Sequence, residues 1–201
     1  MTAHYLLHRT YKVQPGDTIL VHAAAGGMGL ILCQWAKALG ATIVGTVSTE
    51  EKAEAARTAG CHHPVVRSKK SFIDKVREVT DGEGAAVVYE AIGKDTLQDS
   101  LDSLRPMGVC AAYGHVSGPP DPVDIIQDLG RRGSLFITRP AIMHYVAKRE
   151  DLEWTARDLF KAINNGILDA NINYEYALKD AMKAHEAIES GSTLGATVLI
   201  P

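Results

Sequence analysis

Cysteine is scarce in this chain: Cys33, Cys61 and Cys110 are three scattered thiols among 201 residues. An odd, sparse set excludes a disulfide framework and suits free thiols in a reducing, cytoplasmic setting. No Cys/His pair has metal-ligand spacing, and the adjacent His62 and His63 would face opposite ways on a strand, so no metal is expected. No apolar run approaches the roughly 20 residues of a membrane span. The first residues, Met1 to Arg9, lack the apolar core and small-residue cleavage site of a secretion signal. Neither sign of charge dominates: a net charge of −3 without a basic stripe gives no case for nucleic acid or a membrane surface. Repeats and low-complexity segments are missing too. What remains, 46% apolar and 22% charged, is the composition of one sizeable globular domain with room for an appendage.

Within that domain short β-rich runs alternate with helical patterns. Strands are expected at Thr18–His22, Thr42–Val47, Val65–Val66, Ala85–Tyr89, Val109–Tyr113 and Ser134–Thr138. Helices are expected at Met28–Leu39, from a Ser48 or Thr49 cap to Ala59, and at Ser71–Thr80. Others follow at Asp95–Leu104 with Asp95 as cap, Asp124–Leu129, and a long one at about Tyr145–Asn165. Such alternation implies right-handed crossovers and a doubly wound parallel sheet of six strands, order 3-2-1-4-5-6, with helices on both faces. Residues 1–166 form this domain. Residues 167–201 behave differently: an extended stretch (Ile167–Ala177), a helix (Leu178–Ser190) and a last short strand (Ala196–Ile200) fall outside the six-strand count.

The first strand–helix junction carries the chemistry. Residues 18–29 read TILVHAAAGGMG, an apolar run ending in a small-residue turn at a helix start. This is a variant of GxGxxG, with Ala24 in the first glycine position followed by Gly26 and Gly29. Glycines there let backbone approach a pyrophosphate, and the helix N-terminus offers it free N–H groups. The competing reading is a tight packing turn without a ligand. Dinucleotide sites that hold an unphosphorylated ribose place a carboxylate about 20 residues on. Here Ser48 and Thr49 follow the second strand, with Glu50 and Glu51 already in the next helix. Ser48, Lys52 and Arg67 make a 2′-phosphate clamp, which favours NADPH over NADH. Glu50 or Glu51 reaching the ribose would reverse that preference, and Lys52 and Arg67 read otherwise as solvated surface charges. The ends of strands four and five, with Gly93, Gly114 and His115, should line the nicotinamide side. His115 could act as acid or base, or be merely an exposed loop histidine. Cys110, Trp35 and Trp154 read as packing residues.

The segments Ala23-Ala24-Ala25-Gly26-Gly27-Met28-Gly29, Cys33-Gln34-Trp35-Ala36-Lys37, Gly45-Thr46-Val47, Val88-Tyr89-Glu90-Ala91-Ile92-Gly93, Ser134-Leu135-Phe136-Ile137-Thr138-Arg139-Pro140 and Val198-Leu199-Ile200-Pro201 occur in order from near Thr2 to the end. On them the chain resembles the quinone oxidoreductase (zeta-crystallin-like) group of the zinc-independent medium-chain dehydrogenases/reductases. The resemblance implies NADP(H)-dependent hydride transfer to quinones or related α,β-unsaturated carbonyls, with no metal and no covalent intermediate. It implies that Ala25, Gly26, Gly27, Met28 and Gly29 hold the pyrophosphate and that Ser48, Lys52 and Arg67 hold the 2′-phosphate. Gly93, Gly114, His115 and Ser117 would line the cleft, with Phe136, Thr138 and Arg139 near the nicotinamide. No catalytic side chain is singled out. Two departures stand out: Arg67 replaces a common tyrosine, and Gly191 stands where some relatives carry arginine.

A larger departure is that relatives begin with a GroES-like catalytic domain, to which their last segment returns. This chain therefore reads as a fragment that keeps the cofactor site with little or no turnover, its residues 167–201 lacking their partner. A homodimer is expected through the apolar sixth-strand edge, Leu135-Phe136-Ile137, unless the tail helix covers it. The rival readings are the cofactor domain of a zinc-dependent alcohol dehydrogenase and a non-catalytic, crystallin-like NADPH-binding protein.

Overall fold

The computed structural model describes residues 1–169 and 172–201. Six strands, β1 (Thr18–Val21), β2 (Thr42–Val47), β3 (His63–Val66), β4 (Ala85–Glu90), β5 (Leu104–Ala112) and β6 (Phe136–Thr138), form one sheet in the order β3-β2-β1-β4-β5-β6. Every pairing in it is parallel. This is the expected doubly wound α/β order, with the reversal between β1 and β4 opening a crevice at the strands' carboxyl ends.

Both sheet faces are covered, which is why the strands are apolar almost throughout. Side chains alternate between two cores. Ile19, Val21, Ile43, Val87 and Tyr89 pack on one face, Leu20, Val44 and Val88 on the other. The first face is closed by α1 (Thr2–Tyr5), which runs on into a wider turn at Leu6–Thr10, by α2 (Gly27–Ala38) and by α3 (Glu50–Thr58). The second face is closed by α4 (Phe72–Val79) and α5 (Leu97–Asp102). The α4 stripe works as its spacing suggests: Phe72 and Val76 are buried, and Ile73 and Val79 lie partly so.

Several local expectations need correction. The segment Thr2–Thr10 carries no start signal, because Met1 makes no capping hydrogen bond, yet Ala3, His4, Tyr5, Leu6 and Leu7 are all buried. Tertiary packing, not propensity, orders it. Asp95 does not cap α5: Thr96 holds that position, and the Asp95 amide donates to Ser117 Oγ instead. Pro106-Met107-Gly108 is no turn before β5 but an irregularity inside it, with Met107 at φ +59° and the β4–β5 register shifted. The long helix divides into α6 (Ile142–Tyr145) and α7 (Arg149–Asn164). Glu150 and Asp151 in the first turn of α7 suit a helix start there.

The tail strands lie outside the six-stranded sheet. Strands β7 (Ile172–Ala177) and β8 (Ala196–Ile200) form a separate parallel pair around α8 (Ala181–Glu189). Residues 170 and 171 of the expected extended stretch lie outside the described residues. No helix among the described residues is long and apolar enough to cross a membrane.

One glycine shows how closely β2 is packed. A Cβ on Gly45 would lie 2.6 Å from Cys61 Sγ and 2.7 Å from the Ala24 methyl. Gly45→Ala is therefore expected to lower unfolding stability by about 1–3 kcal/mol, the usual cost of overpacking. Denaturant melts of the two proteins check this, and equal midpoints would contradict it.

Candidate functional site: a glycine loop over a buried carboxylate

The loop between β1 and α2 is set by contacts of its own backbone. Ala23 adopts a left-handed φ of +50°, and the Gly26 amide donates back to the Ala23 carbonyl at 2.9 Å. A Cβ on Gly29 would sit 2.2 Å from that same carbonyl oxygen, so only glycine fits. Gly26 is the N-cap of α2, and the helix's first amides, at Gly27, Met28 and Gly29, lack intrahelical acceptors. The turn is thus a packing device that also leaves helix-start amides without intrahelical acceptors.

Beneath the loop lies a feature the sequence reading missed. His22 directly follows β1 and Glu90 ends β4, and both are fully buried. Glu90 Oε1 accepts from the Ile92 amide at 2.6 Å, the Gly93 amide at 3.1 Å and Thr96 Oγ1 at 3.0 Å. Its Oε2 accepts from Ser100 Oγ at 2.5 Å and Thr96 Oγ1 at 2.9 Å. His22 spans from Thr46 Oγ1 (2.9 Å from Nδ1) on β2 to Ser100 Oγ (2.9 Å from Nε2) on α5. Because the Ser100 proton goes to Glu90, its oxygen accepts from His22 Nε2–H, and Nδ1 accepts from Thr46. Burial drives the His22 pKa down to about 4, outweighing attraction to Glu90 3.4 Å away. The net direction for Glu90 is below the usual carboxylate value: burial pushes it up, while attraction to His22 when that ring is protonated, and the bonds from Ser100 and the Gly93 and Ile92 amides, push it down. A neutral imidazole beside an ionised carboxylate held by four donors is the consistent arrangement. The signal was available: a histidine and a glutamate interrupting two apolar strands must be paired if buried.

The remaining sequence candidates fall into two groups. Ser48 and Arg67 follow the paired ends of β2 and β3, and Lys52 lies in the first turn of α3. The Arg67 amide extends the ladder to the Val47 carbonyl at 3.1 Å, Ser48 and the Arg67 side chain are exposed, and Lys52 Nζ donates to the Gly191 carbonyl in the tail. Glu50 does not stand free: its carboxylate pairs with Lys69 Nζ at 2.7 Å. At the other half of the crevice the loops after β4 and β5 clasp each other. Cβ atoms on Gly93 and Gly114 would meet the Gly118 and Ala91 carbonyls at 2.6 Å. Ser117 Oγ donates to the Ile92 carbonyl at 2.9 Å. Arg139, just past β6, donates to the Tyr113 carbonyl at 2.6 Å and lies 3.4 Å from His115 Nδ1, while His115 itself is exposed. Thr138 pairs with Ala111 across the ladder, and Phe136 is 61% exposed on the sheet edge.

The tail reaches the loop directly. The Gly195 amide donates to the Ala25 carbonyl at 2.9 Å, and Gly195 bridges Gly26. A cavity of about 720 Å³ beside it is walled by Leu30, Ile31 and Gln34 of α2, by α3, and by Asp169 and Asn173. It shares Gly27 with the loop, but none of its lining residues belongs to a strand of the six-stranded sheet.

A doubly wound domain with this loop defines a dinucleotide-binding class, and comparison with known proteins narrows it. The model of the zinc-binding dehydrogenase family matches residues 27–160, and the chain belongs to that family. Over all 201 residues it is 55% identical to 2-haloacrylate reductase of a Burkholderia species, of which it covers 60%. It is 41% identical to quinone oxidoreductase 1 of Escherichia coli K12, of which it covers 62%. The crystal structure of E. coli quinone oxidoreductase complexed with NADPH superposes on the whole chain with a TM-score of 0.95, the chain covering 62% of it. That of 2-haloacrylate reductase does so with a TM-score of 0.92. The chain thus spans about 60% of the length of the curated relatives it matches. The family's name refers to zinc, but among the described residues no three His, Cys, Asp or Glu side chains group as metal ligands.

The buried His22 makes stability depend on pH. Its folded pKa of about 4 lies below the ordinary 6.5, so between those values the unfolded chain binds the proton first. Stability from this group is complete above pH 6.5 and falls as pH drops toward the lowered folded value. His22→Gln should flatten the decline of Tm between pH 6.5 and 4.5 relative to the parent. Parallel curves for the two proteins would contradict the assignment.

Proposed function

We propose that this chain is the NADPH-holding part of a reductase that delivers hydride to quinones or related α,β-unsaturated carbonyl compounds. The observation that carries the reading is the placement of the Gly26–Gly29 cradle at the mouth of the crevice, with Ser48, Lys52 and Arg67 past the neighbouring strand ends. A solved relative of 41% identity holds NADPH, and the cradle whose Cβ positions are blocked by backbone suits a pyrophosphate. Quinones and 2-haloacrylate, named for two relatives, share a carbon–carbon double bond conjugated to a carbonyl, which supports that substrate class.

Bound there, the dinucleotide supplies the hydride. The chain's own residues bind and orient. The α2 amides take the pyrophosphate, and Lys52 and Arg67 take the 2′-phosphate, Arg67 with a planar donor fork. Gly93, Gly114 and Ser117 fix the loops that wall the nicotinamide side, and Arg139 ties the Tyr113 carbonyl and the His115 ring to the end of β6. Hydride addition to a conjugated acceptor leaves a delocalised oxyanion, which water can protonate. No triad is required of this chain. The exposed Phe136 on an edge strand supports pairing of β6 with a second copy, giving a homodimer.

Calorimetric titration tests the cofactor reading. The chain is expected to bind NADPH more tightly than NADH. Lys52→Ala and Arg67→Ala should each cost about tenfold or more in NADPH affinity, since a hydrogen bond to a charged group contributes about 1.5–3 kcal/mol. NADH binding should hold. Equal losses for both dinucleotides would sink the clamp.

A further inference from the structure

Carboxylates near the end of β2 are the usual hold on a free ribose 2′-hydroxyl, and this chain carries one, Glu50, at the start of the helix that follows β2. Glu50 opens α3 directly after Ser48 and the Thr49 cap, about 20 residues past the glycine loop. An unrestrained carboxylate there would repel a 2′-phosphate and accept from a 2′-hydroxyl. It is not unrestrained. In the parallel β2–β3 pair Val47 lies opposite Val66. Three residues beyond each, Glu50 and Lys69 meet at 2.7 Å. Lys69 is set by its own turn, its amide donating to the Val66 carbonyl at 2.9 Å. Both side chains are well exposed, so the pair adds little to stability. Its consequence is where the carboxylate points and what charge the 2′ corner presents.

We propose that Lys69 is a positioning residue for cofactor choice: by pairing with Glu50 it withholds that carboxylate from the ribose and leaves the corner cationic. This rests on the NADPH reading above. Lys69 acts through Glu50, while Lys52 and Arg67 touch the phosphate. With Lys69 removed, Glu50 is free to accept from the 2′-hydroxyl of NADH.

The test is a titration of nicotinamide fluorescence with NADPH and NADH on the parent chain, Lys69→Ala, Glu50→Gln and the double variant. Lys69→Ala should bind NADH about three- to tenfold more tightly than the parent and NADPH about tenfold less, tenfold being about 1.4 kcal/mol. Glu50→Gln should leave NADH affinity unchanged, and adding it to Lys69→Ala should return NADH affinity to the parent's. That reversal is what a lost surface charge alone would not produce. NADH affinity unmoved in Lys69→Ala, or raised equally in the double variant, would overturn the inference while leaving the NADPH reading intact. A parent chain that binds no NADPH would overturn both.

Discussion

The crevice of this fold is held open by a charge kept out of water. Glu90 ends β4, and its carboxylate collects two backbone amides and two hydroxyls. Through Ser100 it engages His22, and through His22 it reaches Thr46. The carboxyl ends of β1, β2 and β4 are thereby tied to one buried network, as is the N-terminal part of α5. Of these, β1 and β4 flank the reversal of sheet order. A buried ion tolerates little misplacement, because each donor it loses leaves unpaired charge in a low-dielectric site. The glycine loop follows His22 directly, and the loop ending in Gly93 is bonded to Glu90 itself. Both walls of the proposed nucleotide site therefore rest on the same anion.

Around that network, close backbone contact does the rest. Gly29 and Gly45 admit no side chain, and Gly93 and Gly114 let two loops touch. A glycine in such a motif need not be reserved for a ligand. At Gly29 the nearest atoms are the loop's own, and tight folding of the turn is what turns the α2 amides outward. The tail adds a further constraint from outside the sheet, with Gly195 bonded to Ala25 and Lys52 to Gly191. The segment that stands apart in topology is thus fastened to the loop and to one member of the cation set.

Most of the sheet was legible in the sequence because its strands are short, β-branched and separated by capped amphipathic helices. Strand order followed from the alternation alone. What stayed hidden depended on partners distant in the chain. Residues Thr2–Thr10 have no helical signature of their own and are ordered by burial of Tyr5, Leu6 and Leu7. Met107 breaks β5 without ending it, so a bulge read as a turn. Of the site, the loop and the 2′ corner were visible as motif and spacing. The His22–Glu90 network was not, since its members are 68 positions apart. Lys69 was invisible for a similar reason: its meaning lies in the β2–β3 register that brings it to Glu50.

The central claim is that the α2 N-terminus, braced by the buried carboxylate, receives the dinucleotide. Amide-resolved NMR of the isotope-labelled chain titrated with NADPH tests this most directly. The account predicts the largest shifts at Gly26 to Gly29, with further shifts at Ser48 and Arg67. Shifts confined to the cavity between α2, α3 and the tail, with the glycine-loop amides unmoved, would contradict it.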